Sequence, residues 1–390
     1  MKRTRFPGRP KLTRDAERLG RLASLLAEAG SRLEDSFWES RIAELVVRLL
    51  DAGDDIALES ALDKLWAASP GGYDRLVEIV EGHTECGALD HPGGPYDVLM
   101  IAAPVLAWSR FTIPAGRIPA VDLENLRAQL QGHVLARKAR LGLADYLFSP
   151  DQLPRGYGNT LRFARRLWAA AADGRDAGIS VQDLPDTQRF LADTRYLVGA
   201  VAVPRGAAIF RWQEDEGSRT EAVSQWQAQA APSLHSVLRG CAFELAAPDA
   251  YYSAWRQADR LARPYSLRSA AEYVRTSLEV AATDLRAVVA PFHDQQLEEY
   301  RVGFALRGKG EVAYGVVWPL LGAEDEDSGA AKEIETLLRQ FGVEDILTLE
   351  HPFPLEYCDD CGAPLFPNPE GEAVHAEMPE EAASMPTHLH

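Results

Sequence analysis

The sequence predicts an α+β protein: a helical N-terminal segment, then three degenerate β-hairpin–helix–strand modules, then a small C-terminal tail resembling a zinc knuckle. Three observations carry that prediction. Leucines recur at helical spacing through residues 12–68. An apolar strand pattern opening on tyrosine and closing on tryptophan occurs three times along the chain. Cys358 and Cys361 stand three apart and are followed by glycine in an acidic, histidine-bearing end.

The helical segment reads from Leu19, Leu22, Leu25 and Leu26, then Ile42, Leu45, Val46, Leu49 and Leu50, then Leu58, Leu62 and Leu65. Gly30-Ser31 and Gly53-Asp54-Asp55 supply the breaks between helices. From about residue 73 the texture changes. Tyr96 to Ala103, Tyr196 to Val203 and Tyr300 to Leu306 read as strands, and second strands are expected to end at Trp108, Trp212 and Trp318. Pro-Arg-Gly and Gly-Lys-Gly turns join the last two pairs. Helical stretches follow at 122–137, 219–230 and 330–341, and short strands at Leu141–Phe148, Cys241–Ala246 and Ile346–Leu349. Pro150-Asp151 and Pro248-Asp249 then lead into arginine-bearing helices; in the third copy His351-Pro352-Phe353-Pro354 stands there instead. Self-similarity at a fixed period argues for repeated units, here too long for a solenoid and so expected as packed modules. The organisation expected is a basic arm at 1–14, helices at 15–70, modules at 71–175, 176–282 and 283–354, and a Cys/His tail at 355–390. Near-continuous apolar strands imply sheets covered on both faces.

Composition narrows the function classes. The 390 residues carry a net charge of −17 at pH 7, with eight basic residues against two acids in 1–22. Residues 322–390 hold seventeen acids against Lys332 and Arg339. An acidic body repels a phosphate backbone, so nucleic acid is not an expected partner. Only the N-terminal arm has the right sign. Its Gly8-Arg9-Pro10 matches the short core of minor-groove arms, but a solvated basic tail is the plainer reading of one such match. No apolar run reaches the ~18 residues of a membrane span, and none follows the basic N-terminus as a signal peptide requires. Four cysteines do not make a disulfide framework, so the cytoplasm is the expected compartment. No phosphate loop, no Gly-x-Ser-x-Gly elbow and no His-Glu-x-x-His helix is present.

The sharpest chemical signal is Tyr357 to Leu365. Two cysteines at i and i+3 followed by glycine can turn both thiolates toward one ion. Tetrahedral zinc needs two further ligands, expected from His375, His388 and His390, in an acidic surround of Asp359, Asp360, Glu372 and Glu377. A structural Zn2+ is the expected cofactor. The rival reading is a redox dithiol, which the two intervening aspartates oppose because they disfavour thiolate formation. A looser cluster, His83, Cys86 and His91, reads as a partly buried cysteine among solvent-facing histidines, and Cys241 reads as core. Arg162, Arg165, Arg260 and Arg263 lie at matching offsets on the two arginine-bearing helices. They could hold an anionic ligand through their guanidinium forks, but pairing with the chain's own acids is the plainer expectation in so acidic a protein.

Arg110 with Pro114, Ala192 to Tyr196, Phe210 to Gln213, Tyr314 to Pro319, the Cys358–Leu365 segment and the terminal His388-Leu389-His390 together resemble an uncharacterised bacterial family of conserved proteins of near-identical length. The resemblance covers essentially the whole chain. It implies a bacterial, cytoplasmic protein whose terminal histidines are its own, and it transfers no catalytic residue. The function expected is that of a non-enzymatic zinc-binding scaffold or regulator acting on a protein or small-molecule partner, without a membrane. The alternative is an enzyme with a cleft between modules, acting on an anionic substrate with or without help from the metal.

Overall fold

A computed structural model describes residues 13–185, 187, 192–214 and 217–378. The chain is mixed α+β, as the sequence predicts, and divides into two compact units. The first comprises 1–105, 114–189 and 194–255; the second comprises 106–113, 190–193 and 256–390.

The first unit opens with four helices: α1 (Arg14–Ala27), α2 (Arg32–Ala52), α3 (Asp55–Ala68) and α4 (Pro70–Glu85). Their starts are written in the sequence. Thr13, Ser31, Asp54 and Ser69 each accept a hydrogen bond from a main-chain N–H of the first turn, and Pro70 takes the first helical position, where a missing N–H costs nothing. Of the leucines at helical spacing all but Leu25 are buried: Leu19, Leu26, Leu45, Leu49, Leu58 and Leu65 are at most 3% exposed, whereas Leu25 faces outward. Helix α4 extends the helical segment past the change of texture near residue 73. Its apolar stripe is reduced to Leu76 and Val80 and its start holds Gly71 and Gly72, which is why periodicity alone understates it.

The main sheet of this unit runs β1 (Cys86–His91), β2 (Gly94–Trp108), β5 (Ala192–Pro204), β4 (Arg140–Phe148) and β3 (Gly116–Arg117) in spatial order. The short strands β6 (Ala242–Leu245) and β7 (Asp249–Ala250) also pair with β2. Helices α5 (Ala120–Gln129), α6 (Tyr157–Asp173) and α7 (Arg219–Ala230) are interspersed, and α8 (Tyr251–Ser277) carries the chain into the second unit.

Two of the three expected hairpins take another form. Tyr96 to Trp108 is one continuous strand, because Pro104 removes only an N–H while its carbonyl accepts from Ala246 and keeps the strand bonded. Strand β2 instead forms its hairpin backward, with β1. After β5 the Pro204-Arg205-Gly206 turn forms, but among the described residues no second strand follows before α7. The Gln213 side chain accepts from the N–H groups of Ile209 and Phe210, closing a short 3-10 turn over Arg211–Gln213. Those amides are spent locally and cannot build a ladder.

The second unit is a sheet in the order β10 (Val312–Pro319), β9 (Leu297–Leu306), β8 (Leu285–His293) and β11 (Asp345–Thr348), with α9 (Ala330–Gln340) before β11. The third expected hairpin forms here, β9 with β10. Strand β11 runs parallel to β8. The core lies between sheet and helices: Leu285, Val289, Val302, Phe304 and Trp318 pack with Leu267 and Val274 of α8 and with Ile334 and Leu338 of α9. Strand, helix and strand follow one another in β5–α7–β6 and β9/β10–α9–β11, and with the two-residue β3 interposed in β2–β3–α5–β4, while the pairing partners differ from one stretch to the next.

Candidate metal centre

The C-terminal segment is built onto the edge and face of the second unit's sheet. Strand β12 (Phe353–Pro354) continues the parallel pairing along β8, opposite Phe292 and His293. The chain then folds back on itself. Tyr357 bridges Pro364, the Cys358 N–H donates to the Ala363 carbonyl at 2.7 Å, and the Gly362 N–H donates to the Cys358 carbonyl at 2.8 Å. Gly362 sits at φ +71°, a conformation that a side chain would oppose. A second small hairpin follows, β13 (Phe366–Pro367) against β14 (Ala373–Val374). Its turn is closed by Asn368, which accepts from the Glu372 N–H at 2.7 Å.

The two hairpins together deliver three ligand-type atoms to one place. The sulfurs of Cys358 and Cys361 and a ring nitrogen of His375 all lie within 4.8 Å of one another. Cys361 Sγ is 3.2 Å from His375 Nε2. The other ring nitrogen, Nδ1, faces Glu377 Oε1 at 3.5 Å, the kind of carboxylate partner that orients a ligating imidazole. Cys358 is half-buried and Cys361 exposed. The Asp360 charge opposes thiolate formation at Cys358, as expected, but other groups outweigh it there. Main-chain N–H groups of Cys361 and Asp360, with the Cys361 thiol, point at its sulfur and hold it below the ordinary thiol range, outweighing the Asp360 charge. A tetrahedral site with Zn–S of about 2.3 Å and Zn–N of about 2.0 Å has S···N edges of roughly 3.5 Å, close to the spacing found. The soft donors and their separation fit a metal ion of the zinc type, and this three-residue group could hold one. Of the acids expected around it, Glu377 is at the site and Glu372 is taken by the turn, bonded to Asn368. His388 and His390 lie outside the described residues.

Beneath the knuckle sits a residue that spacing and composition did not single out. Arg301, in the middle of β9, is fully buried. Its Nε donates to Glu299 at 2.6 Å, and one terminal nitrogen donates to the carbonyls of both Glu356 and Leu365 at 2.7 Å. Those carbonyls flank the cysteine hairpin on its two legs, so one guanidinium ties the legs together. Its plane lies over Phe292 and Tyr357, with centroids at 4.2 and 5.1 Å. Next to it the sheet has a notch. Gly303 and Gly315 are directly opposite in the β9–β10 ladder. A Cβ on Gly303 would meet the Pro367 carbonyl oxygen at 2.3 Å, and one on Gly315 would meet the Phe366 ring at 2.3 Å. Glycine inside a strand marks such a close approach, and a charge inside an apolar strand marks a paired one; both signals were in the sequence.

The other expected site residues disperse. Arg165 pairs with Asp51 at 2.6 Å and Arg162 bonds Asn159, both in the first unit. Arg263, in the second unit, makes a two-pronged pair with Glu324 at 2.6 and 3.1 Å over the Trp318 ring, and Arg260 contributes to the positive field at that carboxylate. Arg165 and Arg263 thus follow the plainer expectation of pairing with the chain's own acids. His83, Cys86 and His91 form no ligand cluster among the described residues. Cys86 is exposed, His83 is half-buried, and His91 is fixed between the Gly93 N–H at 3.1 Å and Asp173 at 3.1 Å. Cys241 is only half-buried rather than core, since β6 is a four-residue strand with two exposed positions.

Among the described residues no helix is long and apolar enough to cross a membrane. Neither a curated protein nor a solved structure matches the chain. A family model matches residues 4–389, essentially the full length, and the chain belongs to that family, a protein of unknown function (DUF2863).

Proposed function

We propose that this chain is a non-enzymatic, metal-binding scaffold or regulatory protein of the cytoplasm. One Zn2+ held by Cys358, Cys361 and His375, with His388 or His390 as the fourth ligand, would pin the acidic C-terminal segment to its own sheet and leave the remaining surface to a protein or small-molecule partner. The observation that carries this reading is the convergence of two sulfurs and an imidazole nitrogen within 4.8 Å. Thiolates and imidazole select zinc over the hard cations that prefer oxygen, and a fourth protein ligand would close the site as structural sites are closed. The four free cysteines support a reducing setting.

The ion would act as a cross-link between two short hairpins that have little core of their own. Elemental mass spectrometry of untagged protein, beside a Cys358→Ser/Cys361→Ser double variant, tests it. One zinc per chain in the wild type and none in the variant is the expected result. A wild type without stoichiometric metal ends the proposal.

A further inference from the structure

A second candidate site lies in the first unit, remote in sequence from the cysteines. Asn159, Arg162, Phe163 and Arg166 recur at i, i+3, i+4 and i+7 along α6 and so share one face. That face borders a cleft of about 480 Å³, to which Arg155 and, on the far side, Phe148 and Ile179 also contribute. The volume is within the roughly 300–1,000 Å³ of small-molecule sites. Its floor is aromatic: Phe148 and Phe163 meet edge to face at 5.9 Å.

The wall opposite α6 is fixed in place. The Ile179 N–H donates to Asp145 at 2.8 Å, and the Gln152 amide donates at 3.2 Å to both the Tyr146 hydroxyl and the Pro185 carbonyl. The cleft is therefore formed before anything enters it. The charged side chains among its described lining residues are all arginines, the reverse of the chain's own sign. Arg155 shares its guanidinium with Asp151 at 3.2 Å. Arg162 is held by the neutral Asn159. Neither Arg162 nor Arg166 has a carboxylate partner among the described residues, whereas Arg165, one position away and off this face, is paired with Asp51. In a protein of net charge −17, two guanidinium groups with no carboxylate partner among the described residues, at the rim of an apolar cleft, are a specific departure.

We infer that this cleft binds a small organic anion, with a carboxylate or phosphate head on Arg162 and Arg166 and a flat apolar body on Phe148 and Phe163. Planar forks suit both heads, and the apolar floor adds affinity only for a ligand that carries a body.

Isothermal titration calorimetry on the full chain as purified tests this, with phenyl phosphate, benzoate, inorganic phosphate and benzyl alcohol as probes. Phenyl phosphate or benzoate is expected to bind, with the stronger of the two identifying the head. Inorganic phosphate and benzyl alcohol should each bind more weakly, since each lacks half of the ligand. Arg162→Gln/Arg166→Gln should weaken binding at least about tenfold, roughly the worth of one charge-assisted hydrogen bond. Arg165→Gln, which removes a positive charge from the same helix but off this face, should leave it unchanged. These side chains are exposed, so a folded variant is expected, and a thermal melt confirms it. No binding of either aromatic anion at millimolar concentration, equal binding of inorganic phosphate, or equal loss in the Arg165 variant would each overturn the inference. Treating the protein with a chelator should not change the result, which separates this site from the metal centre.

Discussion

Arg301 carries a full charge into a position with no exposed surface, and its neighbours show what that costs and what it achieves. Two main-chain carbonyls and Glu299 depend on one guanidinium. Replacing it with methionine keeps the length and the contact with Phe292 but leaves the partly buried Glu299 carboxylate and both carbonyls without this donor. Breaking a buried pair from one side costs about 3–5 kcal/mol. Arg301→Met is therefore expected to lose that much in urea denaturation, and Arg301→Lys less, because an ammonium keeps the charge without the fork. A loss below about 1 kcal/mol would show that the hairpin legs hold each other without it.

Glu324 makes a second residue-scale prediction, with a sign fixed by its surroundings. Burial pushes its carboxyl up, but the Arg263 fork and the Leu321 N–H outweigh that and hold it below the usual glutamate range. The folded state therefore binds this proton less tightly than the unfolded chain does. Its contribution is complete above the ordinary value of 4.5 and is lost as pH falls through the folded-state value. Glu324→Gln should be about 1–2 kcal/mol less stable than wild type at neutral pH. The gap should narrow as the solution is acidified below 4.5; a gap independent of pH would mean the pair contributes through shape rather than charge.

At the scale of elements, the paired glycines of β9 and β10 decide whether the tail can lie on its sheet. Phe366 is 7% exposed and cannot retreat, so even a methyl group at Gly315 has nowhere to go. Gly315→Ala is expected to cost about 1–3 kcal/mol by overpacking. It should also raise the rate of proteolytic cutting within 355–378 while leaving the helices of the first unit protected. Unchanged cutting would mean the tail is held elsewhere.

The same scale shows what was legible in the sequence. Helices α1 to α3 were, because each signals itself locally, through Ser31 and Asp54 caps and leucine spacing, whereas α4, with only Leu76 and Val80 on its stripe, was understated. The cysteine hairpin was legible because Cys358, Cys361 and Gly362 form one short turn, and His375 because few ligand types stand downstream. The hairpins at Trp108 and Trp212 were not. Whether an apolar run pairs forward or backward depends on remote partners such as Ala246, and Gln213 diverts the amides of Ile209 and Phe210 through its side chain. Arg301 was visible as a charge in an apolar strand, but the carbonyls it holds lie 55 and 64 residues away.

At the scale of the molecule, the two compact units make a prediction about where metal matters. The described ligands Cys358, Cys361 and His375 belong to the second unit, on short hairpins held by a single bridge or by two-residue strands, which cannot support themselves. A ligand that binds only the folded state stabilises it by mass action, and the stabilisation appears at whatever must open to release it. Here that is the segment from Phe353 to Val374. Hydrogen exchange on holoprotein before and after treatment with a strong chelator should therefore show protection lost at the main-chain amides of Cys358, Gly362 and Asn368. Amides of α1 to α4 in the first unit, closed by their own caps and leucines, should exchange as before. Readdition of Zn2+ should restore protection, and Mg2+, which prefers oxygen donors, should not. Chelation that loosened both units equally would place the metal's role outside this segment. Chelation with no effect on Cys358 and Gly362 would leave the knuckle standing on Arg301 and the glycine notch alone.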